Sequence, residues 1–169
     1  MKKIITSIGV LMFMIALTQN ANAQIEKGKT IIGATSNLGF NSNSVGGISS
    51  STFLINTSTG KLFTEKLAGG VDFGFASVSY SGNSSTAINV GGFGRFYVNN
   101  FFPEISLGII NSSNGGSSST NFYYGFGIGY AIPLNDYISI DPRINYTSIK
   151  YETSSSKGFG INVGFSLYF

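Results

Sequence analysis

From Lys29 onward, large apolar residues recur at every second position, in runs separated by clusters of Ser, Asn and Gly. A period of two places such residues on one face of a β-strand, and the clusters mark the connections. The final run is the clearest. Phe159, Ile161, Val163, Phe165, Leu167 and Phe169 alternate with Gly160, Asn162, Gly164, Ser166 and Tyr168. The pattern predicts eight strands. The first spans Lys29 to Phe40, and the second Ile48 to Gly60, anchored by Phe53 and Ile55. The third spans Leu67 to Tyr80, where Val71, Phe73 and Phe75 give way to Val78 and Tyr80; a bulge near Ala76-Ser77 would account for this change of phase. The fourth and fifth span Ala87 to Val98 and Phe101 to Ile110. The sixth sets Phe122, Tyr124, Phe126, Ile128 and Tyr130 against Tyr123, Gly125, Gly127 and Gly129. The seventh spans Tyr137 to Tyr151, and the eighth is the closing segment.

The connections alternate in length. Asn41 to Ser50, Ser81 to Thr86, Asn111 to Asn121 and Glu152 to Lys157 read as long polar loops, and "NSNSVGGISS" and "NSSNGGSSST" as a flexible, uncharged surface. Lys61 to Lys66, Asn99-Asn100 and Leu134-Asn135-Asp136 read as short turns. Eight antiparallel strands with this layout suit a closed transmembrane β-barrel.

Charge decides which solvent the apolar face meets. Only 10% of residues are charged, well below the roughly 25% of an average soluble domain. A soluble barrel of eight strands turns apolar residues inward and charges outward. Here the non-apolar face is Gly, Ser, Asn and Thr, which suits a narrow barrel interior better than bulk water. The apolar face then meets lipid, and barrel closure pairs every backbone polar group. Tyr80, Phe101, Phe102, Tyr130, Tyr137 and Phe169 lie near strand ends, as interfacial aromatic girdles do.

The N-terminus reads as an export signal. Lys2 and Lys3 precede an apolar run from Ile4 to Leu17, and Ala21-Asn22-Ala23 is a cleavage site before Gln24. Residues 1–23 are therefore a signal peptide and residues 24–169 the barrel domain. Without Lys2 and Lys3, the ten Lys and Arg become eight against seven acidic residues, a net charge of +1, so nothing points to a nucleic-acid partner.

Signal, alternating strands and a terminal aromatic at Phe169 on the apolar face resemble the small bacterial outer-membrane β-barrel family. That family includes OmpX-like barrels and the transmembrane domain of OmpA. The resemblance implies residence in a Gram-negative outer membrane as a monomer, with both termini in the periplasm and outer-membrane lipid around the barrel. It also implies that Phe169 serves as a recognition signal for the barrel-assembly machinery.

Mid-strand charges are few: Asp72, Arg95, Glu104, Asp141 and Arg143. By strand parity all five point inward, and each lies near a short turn, so a single layer of charge near the periplasmic end is expected. A two-residue turn at Asn99-Asn100 pairs positions whose numbers add to 199, setting Arg95 opposite Glu104 and Val90 opposite Ile109. A structural ion-pair network that plugs the interior is the expected role; a pore lining is the alternative. No catalytic, cofactor or metal site is expected. The chain has no His and no Cys, and Gly125-x-Gly127-x-Gly129 lacks the spacing and following helix of a dinucleotide fingerprint. Barrels that modify lipid rely on a catalytic His, which leaves only Asp72 and Asp141 as paired carboxylates and makes the enzyme class the least favoured. The expected function is a non-enzymatic envelope protein with a structural or surface-interaction role, the ligand of its loops unspecified. A small porin-like channel is the runner-up.

Overall fold

A computed structural model describes residues 26–35, 39–45 and 48–169. The proposed signal peptide, and Leu38 of the first predicted strand, lie outside the described residues. The strands are β1 (Thr30–Thr35), β2 (Gly39–Val45), β3 (Ile48–Leu62), β4 (Leu67–Tyr80), β5 (Asn83–Phe96), β6 (Phe101–Asn114), β7 (Ser117–Tyr130), β8 (Ile132–Pro133), β9 (Ile138–Lys150) and β10 (Ser155–Tyr168). All neighbours are antiparallel, and β2 to β7 each pair with the next strand along the chain, β7 passing over β8 to β9 and β9 pairing with β10. β8 continues β7 across Ala131, in the same register on β9. β1 and β2 together form one stave, because both lie along β3. β1 closes the ring by pairing with β10, from Ile31↔Tyr168 to Thr35↔Gly164. The result is an eight-staved antiparallel barrel.

The first stave carries an irregularity. Between Ala34↔Thr57 and Gly39↔Leu54 the chain advances five residues for three on β3. Elsewhere the ladders are continuous. β4 keeps one register with β3 from Ser50↔Tyr80 to Leu62↔Ala68, and one with β5 from Leu67↔Phe96 to Tyr80↔Asn83. The bulge expected near Ala76-Ser77 is therefore absent. Val78 and Tyr80 share the inward face of Asp72, at the rim of the barrel, where that face is wet; both are well exposed.

The expected long loops are also corrected. Most of their described residues belong to strands that run almost to the hairpin tips, while Glu152 to Ser154 remain a loop. Ser81 and Gly82 have φ of 49° and 83°, and Gly115 and Gly116 have 57° and 89°. Two successive positive φ values make the two-residue turn whose twist matches a β-hairpin. Side chains add rungs between the strands: Asn111 Nδ2 donates to Thr120 Oγ1 at 2.8 Å, and Ser118 Oγ donates to Asn111 Oδ1 at 3.2 Å. At the opposite end the Asn99-Asn100 turn is tight, with Asn99 at φ 57° and Val98 and Phe101 exchanging backbone hydrogen bonds.

Strand length explains the polar tips. Fourteen-residue strands such as β4 to β7 are about 45 Å long, and a tilt of about 40° leaves about 35 Å of height. An apolar belt is only about 25 Å tall, so the hairpin ends stand clear of it with both faces in water. Within the belt, Val71, Val90, Ile105, Leu107, Ile109, Phe126, Ile128 and Phe165 all face outward and are half exposed or more. A continuous apolar band of this extent suits lipid, not water. Among the proposed girdle aromatics, Phe101, Tyr137 and Phe169 are exposed, whereas Phe102 is fully buried. Phe102 lies one residue out of phase with outward-facing Phe101 and Pro103, and so points into the barrel.

Candidate functional site

The inward side chains divide the barrel into a packed floor and an open cup. The floor lies at the end holding Thr30, Phe169 and the turns at 63–66, 98–101 and 134–137. Its centre is Arg95, on the inward face of β5, only 2% exposed. The register places it directly opposite Glu104 of β6. Arg95 Nε and Nη2 both donate to Glu104 Oε2, at 2.9 and 2.6 Å. Arg95 Nη1 donates to the Tyr97 hydroxyl at 3.0 Å and lies 3.7 Å from Asp141 Oδ2. Glu104 Oε1 in turn accepts Arg143 Nη1 at 3.3 Å. Asp141, fully buried, accepts hydroxyl protons from Ser139 at 2.6 Å and from Ser166 at 2.5 Å.

Aromatic rings complete the floor. The Arg95 guanidinium lies over the Phe102 ring, 4.2 Å from its centroid. This face-on placement lets the ring quadrupole attract the cation while leaving its N–H edge to the carboxylates. Phe102 packs against Tyr97 with centroids 5.4 Å apart, and the Tyr97 and Tyr168 hydroxyls are 3.3 Å apart. Leu62, Ala68, Ile31 and Ala131 pack with them. Arg95, Asp141 and these rings and aliphatic side chains are at most 2% exposed, Glu104 and Arg143 reach the space above them, and the charges are paired and hydrogen-bonded.

Four of the five inward charges therefore meet: Arg95, Glu104, Asp141 and Arg143. Asp72 does not join them, which corrects the expectation of one layer. It lies on β4 opposite Gly91, four residues beyond Ala68, the residue opposite Arg95. Its partner is Tyr123 of β7, whose hydroxyl donates to Asp72 Oδ1 at 2.5 Å across the interior. The layer breaks because a barrel's strands are tilted and staggered, so equal distance from a turn is not equal height.

Above the floor a cavity of about 290 Å³ is lined by Asn56, Asp72, Asn89, Glu104, Tyr123, Arg143, Asn145 and Asn162, among others. Asn56, Asp72, Asn89, Asn145 and Asn162 are part-exposed, unlike the floor. This gradient shows that the cavity opens toward the hairpin tips. Asn162 Nδ2 donates to Asn145 Oδ1 at 2.6 Å, leaving a wall of amides and hydroxyls. Among the described residues no group of three or more His, Cys, Asp or Glu is placed to hold a metal ion.

Sequence reasoning missed Tyr97, Phe102, Tyr168, Ser139 and Ser166 as members of the floor. The signal lay in parity. Tyr168 interrupts a run of small inward residues, Ser139 lies two residues before Asp141 on the inward face of β9, and Ser166 falls on the inward face of the neighbouring β10.

No protein-family profile matches the sequence, and no curated protein matches it. Solved structures do match in fold. The outer membrane protein Ail of Yersinia pestis aligns with TM-score 0.56 at 14% identity, covering 85% of this chain and all of that one. Neisserial surface protein A aligns with TM-score 0.51 at 15% identity, covering 83% of this chain and 96% of that one. The N-terminal β-barrel domain of Pseudomonas aeruginosa OprF aligns with TM-score 0.51 at 13% identity, covering 85% and 98%. The chain has the fold of these small outer-membrane barrels.

Proposed function

We propose that this chain is an integral outer-membrane β-barrel protein with a structural or surface-interaction role, closed to through-passage by its floor. The observation that carries the reading is the buried network of Arg95, Glu104, Asp141 and Arg143, capped by Tyr97, Phe102 and Tyr168. Such a network seals a barrel because opening it would strip several buried charges of their partners at once. Residence in a Gram-negative outer membrane is supported by the outward apolar belt, the shared fold and the signal-like residues 1–23. Outer-membrane lipid is then the surrounding solvent, the termini lie on the periplasmic side, and the barrel-assembly machinery is the partner that reads Phe169. The barrel acts as a monomer.

The polar hairpin tips form the outer surface in this reading. They are paired strands with tight turns, so surface interaction proceeds through a preformed β-rim. An enzymatic role is not proposed: Asp141 is enclosed by Arg95, Ser139 and Ser166, out of reach of any substrate. Planar-bilayer recording of the purified protein tests the reading against the porin-like alternative. A sealed floor gives no stable conductance; reproducible openings would establish the channel instead.

A further inference from the structure

Among the described residues, five charged side chains within the strands point into the barrel, three acidic and two basic. Both cations are committed to the floor: Arg95 to Glu104 and Asp141, Arg143 to Glu104. Asp72 meets no cation among the described residues. Its Oδ1 accepts the Tyr123 hydroxyl, and its Oδ2, shielded from bulk water, has no hydrogen-bond partner. A carboxylate in a low-dielectric interior is costly unless charge and donors reach it.

The surroundings of Asp72 are arranged as a recess. Gly74 and Gly91 face inward beside it. A Cβ on Gly91 would overlap the Tyr123 hydroxyl and come within 3.0 Å of Asp72 Oδ2. A Cβ on Gly74 would overlap the amide oxygens of both Asn56 and Asn89. Two bare stretches of backbone thus make room for five oxygens: both of Asp72, the Tyr123 hydroxyl, and the amide oxygens of Asn56 and Asn89. All four side chains line the cavity that opens toward the hairpin tips. The cavity, about 290 Å³, is at the lower end of the range for small-molecule sites.

We propose that this cup binds a small organic ammonium ion from the medium, with Asp72 as its anchor. The sign follows from the interior charge: three carboxylates against two guanidinium groups leave −1, concentrated at Asp72, and low-dielectric walls focus that potential into the cavity. The donor count follows from the wall. A primary ammonium carries three N–H donors and accepts nothing, which complements the Asp72 carboxylate and the Asn56 and Asn89 amide oxygens. The Asn89 N–H is turned to Asp72 and Tyr123, and Arg143 is paired to Glu104. A divalent metal ion fits less well, because a single unpaired carboxylate supplies too little charge to strip its water. The inference goes beyond a structural role and stands whether or not the floor conducts.

The test is a titration of the isotope-labelled barrel, refolded in detergent micelles, with ethylammonium chloride. The readout is the assigned side-chain amide signals of Asn56 and Asn89 by NMR. Saturable shifts are expected, and Asp72→Asn should raise the half-saturating concentration at least tenfold. Tetramethylammonium, which has the charge without donors, and ethanol, which has a donor without charge, should give no saturation at the same concentrations. Heat-modifiable gel migration establishes that Asp72→Asn is folded. Should it not fold, Asn56→Ala serves in its place, with the Asn89 signal as readout and about threefold weaker binding expected. The proposal is overturned by absence of saturable shifts in the wild type. It is equally overturned by equal saturation with sodium chloride or tetramethylammonium, or by a variant that binds as well as wild type.

Discussion

Glu104 holds two guanidinium groups at once, so its removal is the sharpest test of the floor. In Glu104→Ala, Arg95 loses both of its short charge-assisted bonds, at 2.9 and 2.6 Å, and keeps only Tyr97 and the more distant Asp141 at 3.7 Å. Arg143 loses its ion pair with Glu104. Breaking a buried pair by removing one partner costs about 3–5 kcal/mol. Arg95 is only 2% exposed, but the Glu104 and Arg143 side chains reach the cup, at 18% and 13%, and water there can solvate part of what is lost. The lower end applies: about 3 kcal/mol, roughly a hundredfold in the folding equilibrium. At urea slopes of about 1–3 kcal/mol/M, the unfolding midpoint should fall by about 1–3 M. The assay is urea unfolding in lipid vesicles, followed by circular dichroism and heat-modifiable migration. Glu104→Gln retains acceptors for Arg95 without the charge and should fall between wild type and Ala. A Glu104→Ala midpoint within error of wild type would refute the network as a stabilising element.

Phe102→Ala removes the ring beneath Arg95 and beside Tyr97, and should destabilise by about 3–5 kcal/mol in the same assay. Leu107→Lys places a charge on the outward face midway along β6, and should cost about 2–4 kcal/mol in bilayers. The same substitution in a water-facing barrel would be close to neutral, so an unchanged midpoint would remove the lipid-facing assignment. Ser148→Ala deletes a fully buried hydroxyl that has no hydrogen-bond partner, and should be neutral or stabilising by up to about 1 kcal/mol. A clear loss of stability there would mean that the hydroxyl is engaged after all.

What the sequence made legible was whatever one face of one strand reports. Phe159 to Phe169 alternate because lipid lies on one side, and that constraint is strict along the belt. Arg95 and Glu104 are nine residues apart across a tight turn, so turn length alone pairs them. The hairpin tips were misread because both of their faces are wet. Ser, Thr and Asn there need not alternate with anything, and composition then reads as loop although the backbone is fully laddered. Val78 and Tyr80 suggested a slip in phase for the same reason: the lipid rule stops at the belt, and above it an apolar residue can face the mouth. The floor needed closure to be seen. Asp141 meets Ser166 and Tyr97 meets Tyr168 at separations of 25 and 71 residues, and Asp72 reaches Tyr123 across 51. Those distances depend on stagger around the ring, which no local pattern encodes.

The two-residue turns bear on how foreign sequence could be carried by this barrel. Tyr80 pairs with Asn83 and Asn114 with Ser117, so each ladder is complete up to the residues flanking its tip. A peptide spliced between Ser81 and Gly82, or between Gly115 and Gly116, interrupts no rung and meets only solvent. The same peptide placed after Ser85 or Asn111, inside what composition reads as loop boundaries, would unpair β5 from β4 and β6, or β6 from β5 and β7. At each of these two turns the permissive position for epitope display is one peptide bond wide, and it is set by the reversal of φ there.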